Sequence, residues 1–385
     1  MVKLSLNAPR LRALVYQASA LGVALFIAWY LVSNTLANLE ERNIASGFAF
    51  LGSEAGFAIG ETSFLSHSAA DTYLRALAVG VANTFRVALI GIVAATVLGT
   101  LIGLAKLSRN WLLAKLAGGY VEFIRNVPLL LQLFFWYVLI TEYLPLPRAA
   151  LEPLPGIYLS NRGIFFPVVL THHAHYWMVV ALVAGIVAAF CFTRWAARRR
   201  TLTGRAWPVL EIAFALVLLP PALAYLALGS SIEFDVPRLS GFNFSGGMTL
   251  TPEFAALTGG LVIYTAAFIA EIVRAGILAI PHGQFEAAYA LGLRRRLAMR
   301  LVVLPQALRV IVPPLTGQYL NLTKNSSLAV AIGYPDLVSI ANTTINQTGQ
   351  AIEGIAIIMG VYLVISLSIS ALMNWYNARI ALRER

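Results

Sequence analysis

Residues 286–305 read EAAYALGLRRRLAMRLVVLP, a hydrophilic stretch between two long apolar runs. It holds Glu286-Ala287-Ala288, then Gly292, then Leu304-Pro305 behind the apolar Val302. Residues 285–291 are mostly good helix formers, enough for two short turns. His282-Gly283-Gln284 is a poor helix interior, so the chain is expected to turn there. Gly292 permits a left-handed backbone where the helix stops. Pro305 suits the first turn of the next helix, where its missing N–H costs nothing. A polar helix in this place serves neither lipid nor cargo, so a short lever that touches a partner is predicted. An ordinary loop helix with a glycine C-cap has the same letters.

The surroundings fix the class. The 385 residues are 59% hydrophobic and 12% charged, with a mean hydropathy of +0.76. Soluble domains carry about 25% charge, so this is an integral membrane protein. Apolar runs able to cross the bilayer recur eight times, at 14–36, 76–105, 123–144, 176–193, 208–230, 254–280, 309–333 and 354–377. Their length and Leu/Ala richness predict helices rather than strands. The first run lacks a small-residue cleavage site and reads as a retained helix. Cys191 is the sole cysteine, so no disulfide framework or cysteine-based metal site is expected within the chain.

Basic residues set an orientation. Lys3, Arg10 and Arg12 precede the first span, and Lys106, Arg109, Lys115 and Arg125 follow the second. Arg194, Arg198, Arg199, Arg200 and Arg205 follow the fourth. Arg274, Arg294, Arg295, Arg296, Arg300 and Arg309 follow the sixth, and Arg379, Arg383 and Arg385 end the chain. With alternating spans, these 21 of the 28 basic residues fall on one side. Arg42, Arg75, Arg148, Arg162 and Arg238 fall on the other. Both termini and the 286–305 loop are therefore expected in the cytoplasm. The net charge of +11 sits in loops between spans and does not argue for nucleic acid.

Further segments carry a resemblance. They are Asp71-Thr72-Tyr73, Asn83-Thr84, Glu122 to Gln132 (EFIRNVPLLLQ), and Ala270-Glu271-Ile272-Val273-Arg274-Ala275-Gly276. Gly283-Gln284, Leu291-Gly292-Leu293, Lys324-Asn325-Ser326-Ser327-Leu328-Ala329 and Pro335-Asp336-Leu337 complete the set. With the spacing EAA-x3-G-x9-(I/V)-x-L-P, they resemble the polar amino-acid uptake family of ABC-importer permeases. The chain is longer than the short members of that family. Its extra N-terminal helix, its insertion, and the stretch from Ala45 to Phe57 resemble the larger membrane subunit of general L-amino-acid ABC transporters.

The resemblance implies an all-α polytopic membrane protein with a five-helix type I ABC-importer core and a cytoplasmic coupling helix. That core would use spans 2, 3, 6, 7 and 8. The domains are expected as 1–75, an N-terminal helix and periplasmic segment; 76–144, the first part of the core; 145–253, an insertion with two extra spans; and 254–385, the second part of the core. The implied function is the permease subunit of an importer moving amino acids from periplasm to cytoplasm. Implied partners are a second homologous permease subunit, two ATP-binding subunits and a periplasmic amino-acid-binding protein. Glu286, Ala287, Ala288, Gly292, Leu304 and Pro305 take the ATPase-coupling role. The chain is not expected to be an enzyme or to hold a cofactor. A P-loop needs Gly-Lys followed by Ser or Thr, and none of the four lysines follows a glycine.

Charges inside spans need separate readings. Lys324 lies mid-span beside Asn325 and Ser326, and a lipid-facing charge there costs about 2.5–3.5 kcal/mol on insertion scales. It reads either as a translocation-pathway residue or as part of a buried ion pair or broken helix end. Arg86 is expected to snorkel to the interface. Glu271 and Arg274, three apart, are expected to pair within one helix. His172, His173 and His175 beside Tyr176 and Trp177 read as an interfacial belt rather than a metal site. Arg294 to Arg296 either orient the loop or bind a partner. The rival classes are an ion-coupled secondary amino-acid transporter, expected to show matching repeats, and a membrane hydrolase, which needs a catalytic constellation.

Overall fold

The computed structural model describes residues 9–41, 46–62, 65–170, 173–204, 207–228 and 233–380. Lys3, Arg42, Ala45, His172, Arg205, Arg383 and Arg385 lie outside these residues, as do the side chains of Arg10 and His173. By its internal contacts the chain forms two units, one of residues 1–137 and 256–385 and one of 138–255.

The first unit is helical. It holds α1 (Pro9–Glu41), α2 (Tyr73–Lys106), α3 (Trp111–Asn126) and α4 (Leu129–Val138). After the second unit come α7 (Pro252–Leu278), α8 (His282–Ala290), α9 (Arg295–Ala298), α10 (Leu304–Asn325), α11 (Leu337–Thr348) and α12 (Ala351–Ile380). Among the described residues, seven helical segments are long and apolar enough to cross a membrane. The bent pair Trp111–Asn126 and Leu129–Tyr143 makes an eighth if it counts as one span.

That bend differs from the straight third span predicted over 123–144. The two parts meet at 104°. Pro128 excludes the helical conformation for the residue before it, and Val127 is extended at φ −97°, ψ 130°. The amide of Gln132 then donates to the carbonyls of Ile124, at 2.9 Å, and Val127, at 3.0 Å. These are carbonyls that the end of α3 would otherwise leave unmet.

α2 is the axis of the core. Thr72 caps it, its hydroxyl accepting from the Arg75 N–H at 3.3 Å. At Gly99 an added Cβ would lie 2.7 Å from Ile269 and 2.8 Å from the Ala266 carbonyl of α7. The absence of side chain lets the two helices touch through their backbones. Ala95, Ile269, Val273, Ala307, Ile311 and Leu322 form the buried cluster around this contact. Val121 and Ile124 of α3 pack with Ala267 and Ala270 on another side of α7.

The other end of α2 is polar. Arg86 is 4% exposed and its guanidinium donates to Glu61 at 2.6 Å. It does not snorkel, which corrects the sequence reading. Its partner stands outside the spans, in a loop segment that folds back beside α2. The Asn83 amide ties the same loop down, donating to the carbonyls of Glu61 and Pro335, both at 2.9 Å. Phe50, Ala55 and Ile59 of this segment join Tyr73, Ala76, Leu337 and Ile340 in one cluster.

The second unit holds α5 (His173–Thr203) and α6 (Val209–Leu228), packed on each other, and eight short strands. These are β1 (Leu151–Leu154), β2 (Ile157–Ser160), β3 (Gly163–Phe166), β4 (Val168–Val169), β5 (Phe234–Asp235), β6 (Arg238–Ser240), β7 (Asn243–Ser245) and β8 (Met248–Leu250). β1-β2-β3-β8 form an antiparallel sheet, and β4-β5 and β6-β7 form pairs. Tyr158 stacks on Phe244 at 4.6 Å between ring centres, and Phe165 lies 4.7 Å from the same ring. The chain is predominantly helical as predicted, and these strands are an addition to that prediction.

Removing Glu61 leaves the Arg86 charge buried without its carboxylate. Glu61→Ala is expected to destabilise the protein by about 3–5 kcal/mol. Glu61→Leu combined with Arg86→Met is expected to recover most of that loss. Denaturant unfolding in mild detergent tests both; equal losses in the single and double variants would contradict the pair.

Candidate functional site

The segment 279–305 holds the short helix with a glycine exit that the sequence predicts, with one correction at its start. α7 ends at Leu278, and the turn falls at 279–281 rather than at 282–284. Pro281 sits at the N-cap of α8, so His282, Gly283 and Gln284 form the helix's first turn. A proline there supplies an extended φ, ψ at the entrance, and its missing N–H removes nothing the helix needs.

The exit of α8 is a fully formed glycine cap. Gly292 has φ +72°. The Gly292 N–H donates to Tyr289 at 2.9 Å and the Leu293 N–H to Ala288 at 3.1 Å. This pair of bonds is the Schellman arrangement, which satisfies the last carbonyls of a helix. Ala288 is 3% exposed and faces the body, while Glu286 and Ala287 are exposed. Phe285 packs against the core cluster of α7 and α10. The Gln306 side-chain amide donates to Gln284 at 3.0 Å, joining α8 to the start of α10. Tyr289 is 47% exposed and Leu291 80% exposed, beside exposed Arg294 to Arg296. A cavity of about 260 Å³ opens here, lined by Arg109, His282, Phe285, Tyr289, Arg295 and Met299.

Leu304 is 43% exposed, and Pro305 lies in the first turn of α10, as the sequence predicts. The helix does not start afresh there, because α9 and a wide turn at Met299–Val303 lead straight into it.

The far end of α10 breaks at the predicted serine run. The helix passes into a tighter turn at Ser326–Ile332. The hydroxyls of Ser326 and Ser327 donate to the carbonyls of Thr323 and Lys324, each at 2.7 Å. Such local bonds compete with the helical ladder. Lys324 is exposed, Asn325 half-buried and Ser326 fully buried. Three residues singled out as a set thus point to different environments. Asp336 then caps α11 by accepting from the Ser339 N–H at 2.8 Å. The polar α11 has no hydropathy signal and was not predicted.

Glu271 and Arg274 pair within α7, with Nε to Oε1 at 3.0 Å. The sequence missed the third member, Lys106, whose Nζ reaches Glu271 Oε2 at 2.7 Å. Lys106 ends α2, so this network ties the α2 and α7 ends together.

Comparison with known proteins decides the family. The family model described as "Binding-protein-dependent transport system inner membrane component" matches residues 178–382. YhdX of Escherichia coli (strain K12) is 50% identical over 386 residues, spanning 99% of this chain and 97% of that protein. The chain belongs to this ABC transporter permease family. The general L-amino acid transport system permease protein AapQ of Rhizobium johnstonii is 48% identical, over 98% of this chain and 94% of that protein. The glutamate/glutamine/aspartate/asparagine transport system permease protein BztB of Rhodobacter capsulatus is 41% identical, over 98% and 95%. The membership places the chain in the inner membrane as a multi-pass transport subunit. It lends no support to the ion-coupled alternative.

The cap at Gly292 makes a local prediction. An L-residue held in that conformation costs about 1–2 kcal/mol. Gly292→Val should speed hydrogen exchange of the 286–293 amides, while Gly292→Asn, which tolerates the left-handed region, should change it little. Equal exchange in both variants would remove the cap's importance.

Proposed function

We propose that the chain is the membrane-spanning permease subunit of an ATP-driven importer that moves amino acids from the periplasm to the cytoplasm. The observation that carries this reading is the end-to-end match with permeases named for amino-acid transport, 48% and 41% identical over nearly the whole chain. ATP hydrolysis falls to two separate ATP-binding subunits. A second homologous permease chain completes the pathway, and a periplasmic binding protein delivers the cargo. Both termini and α8 lie in the cytoplasm on this reading, following the bias of basic residues. Residues 76–144 and 254–385 make the permease core, 1–75 an N-terminal addition and 145–253 an insertion.

In this scheme α8 is the coupling element. Glu286, Ala287, Ala288 and Gly292 form its body and cap, and Leu304 and Pro305 begin the helix it moves. Its support is geometric: the helix is short, capped, pinned on one side by Ala288 and Phe285, and exposed on the other. Coupling of distant sites needs an element that moves between two positions, which a short rigid helix supplies better than a flexible loop. Lys324, Asn325 and Ser326, at the break of α10, are assigned to the translocation pathway.

Two measurements check the scheme. Gentle purification of this chain from native membranes should bring down an ATPase and a second permease chain; recovery of the chain alone would count against it. In the reconstituted assembly, Gly292→Val should abolish the stimulation of ATP hydrolysis by loaded binding protein, and Lys324→Met should reduce uptake strongly at normal assembly. Wild-type stimulation in the first variant would end the lever role, and wild-type uptake in the second would end the pathway role.

A further inference from the structure

A cavity of about 600 Å³ opens between α2, α3 and α7. Its volume falls in the range of small-molecule sites, about 300–1,000 Å³. Lys115, Glu122, Arg125 and Asn126 of α3 line it, facing Lys106 and Glu271. Gly118 and Gly119 also line it and bring no side chains. Positions 115, 118, 119, 122, 125 and 126 follow helical spacing, so they form one polar stripe. The core-facing residues of α3 are Ala117, Val121 and Ile124, which are buried.

The charges in this stripe are left open. Lys106 and Glu271 are engaged with each other, and Glu271 also with Arg274. Lys115 and Glu122 make no hydrogen bond or ion pair among the described residues. Glu122 and Arg125 stand three apart on one helix, where opposite charges normally meet. Here Arg125 lies over the Phe268 ring instead, at 5.0 Å. That contact holds the guanidinium by its face and keeps it off the carboxylate. The wall therefore presents a carboxylate and a guanidinium, both turned to the cavity and not to each other.

Such a wall suits a ligand carrying both signs of charge. Glu122 and Arg125 are separated by about 4.5 Å of helix rise, and Lys115 lies about 10 Å from Glu122 along the same axis. Opposite charges one turn apart and held off each other can take the ammonium and the carboxylate of one α-amino acid between them. An anionic phosphate headgroup would meet Lys115 and Arg125 but would also face Glu122, which repels it. We propose that this cavity binds the amino-acid cargo as its zwitterion. The ammonium sits on Glu122, the α-carboxylate on Arg125, and the side chain runs over Gly118 and Gly119 towards Lys115. The site rests on the amino-acid reading above and is separate from the residues at the α10 break.

The test uses the membrane assembly, purified with its second permease and ATP-binding subunits but without the binding protein, in nanodiscs without nucleotide. Equilibrium binding of tritiated L-glutamine is measured, with 4-aminobutanamide and glutaramic acid as competitors that each lack one charge. Saturable binding is expected, with neither competitor within about tenfold of glutamine. Glu122→Gln and Arg125→Gln should each weaken binding about tenfold or more. An added Cβ at Gly119 meets no atom within 4 Å, so Gly119→Leu should fill the cavity and abolish binding while the subunits still co-purify. Binding unchanged in all three variants would overturn the proposal. So would displacement of glutamine by phosphatidylglycerol, which would make the cavity a lipid site. Absence of saturable binding, when the same assembly reconstituted into liposomes with the binding protein drives ATP-dependent glutamine uptake, would sink the site and leave the transport reading standing. Absence of ATP-driven uptake of any amino acid would remove the reading on which the site rests.

Discussion

Backbone contact between α2 and α7 is the constraint on which the rest of the first unit depends. Without a hydrophobic drive between helices in lipid, close packing and polar bonds hold spans together. Gly99 supplies the close approach, with Ile269 and the Ala266 carbonyl where its side chain would be. Two ion pairs are arranged around these helices. Arg86 meets Glu61 part-way along α2, and Lys106 meets Glu271 at its C-terminal end. The buried faces of α3 and α10 then pack on α7, and α7 runs directly into the turn before α8.

Three cations from the spans of this chain are satisfied in three ways. Arg86 is buried and takes a carboxylate from a loop. Lys106 sits at a helix end and joins a network of Glu271 and Arg274. Lys324 stays exposed at a break in α10. A cation facing hydrocarbon is costly on any scale, so an exposed one marks a surface met by water or by another chain. Arg86 and Lys324 look alike in sequence, each a single charge in an apolar run. What separates them is whether a carboxylate arrives from elsewhere in the chain.

That difference shows where sequence reading reaches its limit. The spans, the break at Ser326 and the cap at Gly292 were legible because each is a local signal: an apolar run, a run of side chains that compete for backbone carbonyls, a glycine after a helix. The bend after α3 was written in Pro128, but the apolar letters on both sides concealed it. Arg86 was misread because Glu61 lies 25 residues away in a polar loop, and nothing local couples the two. α11 was missed because Leu337, Ile340 and Ala341 bury only one face of an otherwise polar segment. The strands of the second unit are two to four residues long, below any period. β3 pairs locally with β2 but gains its second neighbour only when Ile164 reaches Leu250.

The lever combines both kinds of information. Its ends are local: Pro281 fixes the entrance and Gly292 the exit, so α8 has little freedom to lengthen or unwind. Its seating is tertiary: Ala288 and Phe285 press on the body, and Gln284 is bonded to Gln306 across the base of α10. On the proposed function, a helix held in this way moves as a rigid piece, and the packing of Phe285 with the Gln284–Gln306 bond joins its tilt to the start of α10. α10 in turn carries the break at Ser326, one residue from the end of its regular helix. On the proposed function, a displacement applied at Leu291 passes from α8 through its packing on α10 towards the exposed Lys324. On the same reading, that path joins the ATPase side of the chain to the cargo pathway.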